Sequence, residues 1–272
     1  MELSMPPLPE YDNPPLTEVV FGVQFKELEE LKTSHVFAFR EKIDKAKYPE
    51  FEENIPLAHI TETYGNLQAK SPGPPFKMLN APPLPRFFFI SEDERRLVQL
   101  QNDRFLQNWR KRGENAEYPR YESLYPQFAE SWELFRDFVG EQSLGELQPD
   151  QYELTYVNHI EQGDGWTNVQ DIEEVFPWFK CKLENNLADA LEQVAWRRIY
   201  KFPDNAGRLH ASMQQAITKD KRTPVLVLNL TARGFAESGL KDWFDMAHEQ
   251  IVRIFTDLTG PSIQKTIWKR KK

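Results

Sequence analysis

One cysteine, Cys181, serves all 272 residues, which excludes an intrachain disulfide and any thiolate cluster for structural zinc. A nucleophilic role for it needs a neighbouring base, and the sequence assigns none, so Cys181 reads as a packing residue. Basic charge is also short. Lys and Arg number 34 against 42 Asp and Glu, and the net charge of -8 argues against a protein built to hold phosphate backbones. Nucleic acid is therefore not an expected partner. No apolar run approaches the roughly 18 residues of a membrane span, and residues 1–9 lack the basic-then-apolar order of a secretory signal. These absences point to the cytoplasm and to no membrane contact. A phosphate-cradling glycine loop and a serine in a nucleophile elbow are missing as well, and no cofactor or metal is implied.

Aromatic residues are abundant instead: 19 Phe, 9 Tyr and 7 Trp. At that density rings fill the space between a sheet and its helices more often than they line a cavity. Their placement outlines the fold. Residues 18–25 (EVVFGVQF) alternate as a half-buried strand, and 33–47 change to a helical period carrying Val36, Phe37, Phe39 and Ile43. A weaker strand is expected over 57–64. The stretch 66–85 holds six prolines and one glycine and reads as an insertion without regular structure, with Phe76, Met78 and Leu79 in its middle. A meander follows over 86–91, 96–101 and 104–110. Leu124, Phe128, Trp132, Phe135 and Val139 then stand three and four apart, one stripe of a long helix able to lie across a sheet.

Residues 151–160 (QYELTYVNHI) restart the series. Leu154, Tyr156 and Asn158 share one face, and Thr155, Val157 and His159 share the other. Helical residues are expected up to about Glu192, then strands over 194–202, 208–217 and 224–232. The closing helix carries Leu240, Trp243, Phe244, Ala247, Ile251, Ile254, Phe255 and Leu258, with Gly260-Pro261 as its stop. Strand, helix, meander and long helix used twice gives an α+β fold of two pseudo-repeats, helices on one face of the sheets, in a TATA-binding-protein-like or helix-grip-like topology. The parts are an extended arm (1–15), a first repeat (16–145, with the 66–85 insertion) and a second (146–272), the two repeats able to form one continuous domain. The basic end, Lys269 to Lys272, is expected to be a ragged, solvated tail.

Among polar groups, His248-Glu249 is half of a zinc-peptidase signature, but Val252 stands where the second imidazole belongs, so His248 reads as a hydrogen-bonding residue at a helix–sheet border. His159 and His210 lie on expected strands and could approach one another. Asp242, Asp245 and Glu249 form an acidic patch, most simply a solvated face. The most unusual cluster is Asn108-Trp109-Arg110 with Tyr118-Pro119-Arg120-Tyr121-Glu122 downstream. Arginine beside Trp and Tyr can hold a carboxylate, a phosphate or a flat ring by forked hydrogen bonding and stacking. Trp109, Arg110, Arg120, Tyr121 and Asn158 are the candidate ligand-binding residues, and no catalytic residue is assigned.

The run Asn13-Pro14-Pro15-Leu16-Thr17-Glu18-Val19-Val20-Phe21, together with Asn108-Trp109-Arg110, Tyr118-Pro119-Arg120-Tyr121, Thr155-Tyr156-Val157-Asn158 and the helix from Ala247-His248 to Leu258-Thr259, resembles a sporadically distributed, uncharacterised prokaryotic protein family of about this length. The resemblance spans nearly the whole chain. It carries over no activity, and its patchy occurrence implies mobile genes such as those of phage defence or toxin neutralisation. The expectation that follows is a non-enzymatic binding or regulatory protein that engages a protein partner, its acidity suiting a basic one. The alternative is a small-ligand sensor or enzyme with a pocket between helix and sheet. A homodimer is the default assembly, because exposed sheet edges invite pairing.

Overall fold

The computed structural model describes residues 6–62, 84–113, 116–180, 191–218 and 222–271. Residues 66–83 of the proline-rich stretch, Cys181, the turn residues 219–221 and Lys272 lie outside the described residues, as does the helix expected across 181–190. The described residues form nine strands: β1 (Leu16–Phe25), β2 (Glu50–Asn54), β3 (Arg86–Ile90), β4 (Arg96–Gln101), β5 (Arg104–Arg110), β6 (Pro149–Glu161), β7 (Ala195–Lys201), β8 (Arg208–Ile217) and β9 (Pro224–Phe235). They make one antiparallel sheet in the order β2-β3-β4-β5-β1-β6-β9-β8-β7. The helices are α1 (Thr33–Lys42), α2 (Tyr121–Glu141), α3 (Ile172–Val175), α4 (Leu240–Leu258) and α5 (Pro261–Thr266).

The core lies between one face of this sheet and the two long helices. Alternation on β1 sends Val19, Phe21, Val23 and Phe25 to that face, and all four are buried. Phe21 touches both helices, stacking on Phe128 of α2 at 5.1 Å and meeting Phe244 of α4 at 5.6 Å. Phe128 and Phe244 also meet edge-on at 5.1 Å, so α2 and α4 join above the seam of β1 and β6. Every residue of the expected α2 stripe is buried, and so is most of the α4 stripe. Leu240 and Ile254 are only partly covered.

Three expectations are corrected. Helix α1 ends at Lys42 because Asp44 takes a left-handed backbone (φ 73°) and its carboxylate accepts the backbone N–H groups of Ala46 and Lys47, which closes a turn in place of further helix. The second strand is 50–54, not 57–64. Residues 57–62 instead run as a strap across the sheet face opposite the helices, held by side chains: Gln101 bonds both backbone groups of Leu57, and Gln24 and Gln151 each donate to the carbonyl of Ile60. The basic C-terminus is not ragged. Tyr11 and Arg270 form a β-bridge, Asp12 and Asn13 donate to the carbonyls of Lys269 and Trp268, and Lys271 pairs with Asp12 at 2.5 Å. The arm and the C-terminus thus satisfy each other's backbone groups.

Candidate functional site

The bridge between arm and C-terminus forms the outer wall of a cavity of about 480 Å³, whose other walls are the start of α2, the second half of α4 and the ends of β1 and β6. Each wall has a local cause. The α4 stripe brings His248 and Ile251 to the same side as the buried Ala247 and Phe255. Alternation on β6 carries Tyr156 and Asn158 to the helix side. At the entry to α2, Arg120 has φ 71° and ψ 157°, a conformation that costs a non-glycine residue about 1–3 kcal/mol. That turn lets the Arg120 guanidinium donate to the Tyr11 carbonyl (2.9 Å), tying α2 to the arm.

A hydrogen-bonded series runs along the inner wall. The Tyr118 and Tyr156 hydroxyls are 3.2 Å apart, and Tyr156 Oη lies 2.8 Å from His248 Nδ1. The Tyr121 ring lies flat on the imidazole, with centroids at 4.2 Å and planes 2° apart, and its hydroxyl donates to Asp245 at 2.8 Å. Burial holds the His248 imidazole down to about 4 against the pull of Glu122, Asp245 and Glu249, so it is neutral at pH 7. Burial also pushes the Tyr118, Tyr121 and Tyr156 phenols up, with Tyr121 raised further by its bond to the Asp245 carboxylate. Three protonated phenols, a neutral imidazole and an amide thus form an uncharged stretch of the wall, while Glu10, Arg120, Glu122 and Lys271 put charge on the rest of the lining.

Two polar atoms on this wall are left for a ligand. Nε2 of His248 has no hydrogen-bond partner among the described residues, and the Asn158 amide donates to the Leu228 carbonyl (3.2 Å) while its Oδ1 accepts from none of them. Leu8, Pro9, Leu16 and Leu230 supply the apolar remainder.

Of the five candidate residues, Arg120, Tyr121 and Asn158 line this cavity. Trp109 stands one layer back, its ring 5.4 Å from that of Tyr118. Arg110 is not at the site, because its strand neighbour Trp109 takes the helix side, and its Nε donates to the Glu94 carbonyl. His159 and His210 do not meet: His210 stands opposite Thr231, itself opposite Thr155, which leaves the histidines two strands and four residues apart. His210 instead binds the Glu62 carboxylate at 2.5 Å. Asp245 is drawn from the solvated patch by Tyr121. The sequence reading missed Tyr156 and His248 as ligand-facing residues; their signal was two helix-side positions, on β6 and α4, that carry hydrogen-bonding groups inside apolar stripes. Among the described residues, no group of three or more His, Cys, Asp or Glu is disposed to hold a metal ion, and no helix is long and apolar enough to cross a membrane. No family model, curated protein or solved structure matches the chain.

Proposed function

We propose that the protein binds a small, planar, uncharged ligand in the cavity beneath the arm, as a sensor or carrier rather than a catalyst. The observation that carries this reading is the uncharged stretch of wall with two unengaged polar atoms, His248 Nε2 and Asn158 Oδ1, set among Tyr118, Tyr121 and Tyr156. His248 and Asn158 both line the cavity, and a ligand that pairs with these two atoms is fixed in orientation by them. A flat ring with a donor and an acceptor on its edge, of the nucleobase or aromatic-amide class, meets both atoms and offers its face to the phenols.

The test is calorimetric titration with nucleobases, nucleosides and aromatic amides, beside native mass spectrometry of protein purified from its own host. Binding of one class is expected. His248→Phe, which keeps the stack on Tyr121, and Asn158→Leu should each weaken it about tenfold or more, since about 1.4 kcal/mol is one decade. No heat across the panel and no co-purified mass would defeat the reading. So would affinity indifferent to both substitutions.

A protein partner, in a defence or toxin-neutralisation setting, is the second reading. It is favoured by Ile199, 44% exposed next to Arg198 on β7, and by Ile217, 67% exposed at the far end of β8. We also read the two halves as copies of one ancestral unit. In support, the strand order mirrors about the β1·β6 seam, with β5, β4 and β3 on one side answered by β9, β8 and β7 on the other, and a long helix follows the last strand of each set. A tandem unit of the TATA-binding-protein type accommodates that order, with β2 lacking a counterpart among the described residues.

A further inference from the structure

Among the described residues the sheet does not close and ends in two edge strands, β2 and β7. Their sequences carry opposite charge. β2 reads EFEEN, with Glu50, Glu52 and Glu53 exposed, and β7 reads AWRRIYK, with Arg197, Arg198 and Lys201 exposed. None of these six has an ion-pair partner among the described residues.

The charges also match face by face. On β2, Phe51 turns towards the helices, packing on Phe87 and Phe89, which puts Glu53 on that face and Glu50 and Glu52 on the other. On β7, Trp196 packs against Phe176 and Trp178, and the Arg198 guanidinium lies 3.5 Å over the Trp178 ring, so Arg198 is on the helix face with Arg197 and Lys201 opposite. A seam of β2 against β7 therefore sets acid beside base on both faces at once.

Charged side chains on edge strands commonly guard against pairing. Guarding requires charge but not a particular sign. Here each edge carries one sign and the two edges carry opposite signs, which guards each edge against itself and leaves it complementary to the other. A two-fold dimer through either edge would set glutamates against glutamates or arginines against arginines, and like charges facing across strands destabilise the pair.

From this we propose that copies of the chain associate head to tail, β2 of one copy against β7 of the next, rather than as a symmetric dimer. Such a contact leaves an edge free at each end, so assembly is open-ended and grows with concentration. Because the attraction is between exposed charges, salt dissolves it.

The test is the solution mass of the full chain by sedimentation and light scattering, at about 25 mM and about 500 mM salt. The wild type should exceed the monomer mass by roughly twofold or more at low salt and high concentration, and return to monomer at high salt. The triple reversals Glu50→Lys/Glu52→Lys/Glu53→Lys and Arg197→Glu/Arg198→Glu/Lys201→Glu should each be monomeric, their two edges now sharing a sign. Mixed together, they should assemble again. Circular dichroism checks that each reversal folds, and the milder Glu52→Gln/Glu53→Gln and Arg197→Gln/Arg198→Gln variants, expected to weaken association, decide the matter if one does not. A wild type that stays monomeric at low salt overturns the proposal, as does a salt-resistant dimer, association unmoved by the substitutions, or reversed variants that fail to combine.

Discussion

Under α2 and α4, the strands β1, β5 and β6 present Phe21, Phe25, Phe105 and Leu154, all buried among rings from the two helices. On the other side of the same strands stand Glu18, Asn108, Gln24 and Arg104, and three of these are buried just as deeply. That side is ordered by hydrogen bonds. Arg86 donates to Gln99, Gln99 to Asn108 and Asn108 to Glu18, a line across four adjacent strands. Further along, Gln24, Gln101, Arg104 and Gln151 grip the strap 57–62 by its backbone. One face thus gains its energy from area, which tolerates substitution in proportion to volume. The other gains register from directional bonds, each of which leaves a buried orphan when broken.

The sharpest way to separate the two is to delete one side chain on each. Phe128 is fully buried and touches Phe21, Phe105, Tyr125 and Phe244, so Phe128→Ala should cost about 3–5 kcal/mol in urea unfolding, the largest effect expected of any single change. On the polar side, Asn108→Leu keeps the volume but strands the Gln99 amide and the Glu18 carboxylate, and about 1–3 kcal/mol should be lost. Phe128→Leu, an apolar exchange, should cost less than Phe128→Ala, whereas no apolar residue at 108 should recover the loss there. Equal tolerance at both positions would erase the distinction between the faces.

The area-driven face was legible in the sequence, because burial there follows periodicity. Alternation marked Val19, Phe21, Val23 and Phe25, and three-and-four spacing marked Phe128 and Trp132. The polar face was not, because Gln24, Gln99 and Asn108 have the composition of residues that face water. Only the strap, which pairs with side chains and not with a strand, shows why Gln24 and Gln101 are covered. The site divided in the same manner. Arg120, Tyr121 and Asn158 stood out by type and clustering. Arg110 was misplaced because a run of consecutive residues on a strand alternates faces, so its neighbour Trp109 could go to the helix side only by sending Arg110 away. His248 read in sequence as a hydrogen-bonding residue at a helix–sheet border, and its bond to Tyr156 on β6 bears that out; that the pair faces a cavity was not legible, because Tyr156 lies 92 positions away.

Acid separates the faces more finely, because His248 on one and Glu62 on the other are both held off their usual ranges, in different pH windows. His248 is depressed from 6.5 to about 4, chiefly by burial. The unfolded chain then binds a proton that the folded chain refuses, so stability is fully present above pH 6.5 and is lost as pH falls from there towards 4, by about 1–2 kcal/mol at pH 5. Glu62, on the strap, answers differently. Burial pushes its carboxyl up, but hydrogen bonds from His210 and Arg208 more than offset this, and the net shift is downward from 4.5. Its contribution is present above pH 4.5 and is lost only as pH falls below it. Urea midpoints measured from pH 8 to pH 3 should therefore decline in two steps. His248→Gln should flatten the upper step and leave the lower, and Glu62→Gln should do the reverse. A single step removed by either substitution would mean that the aromatic and polar faces unfold as one electrostatic unit, against the separation drawn from their packing.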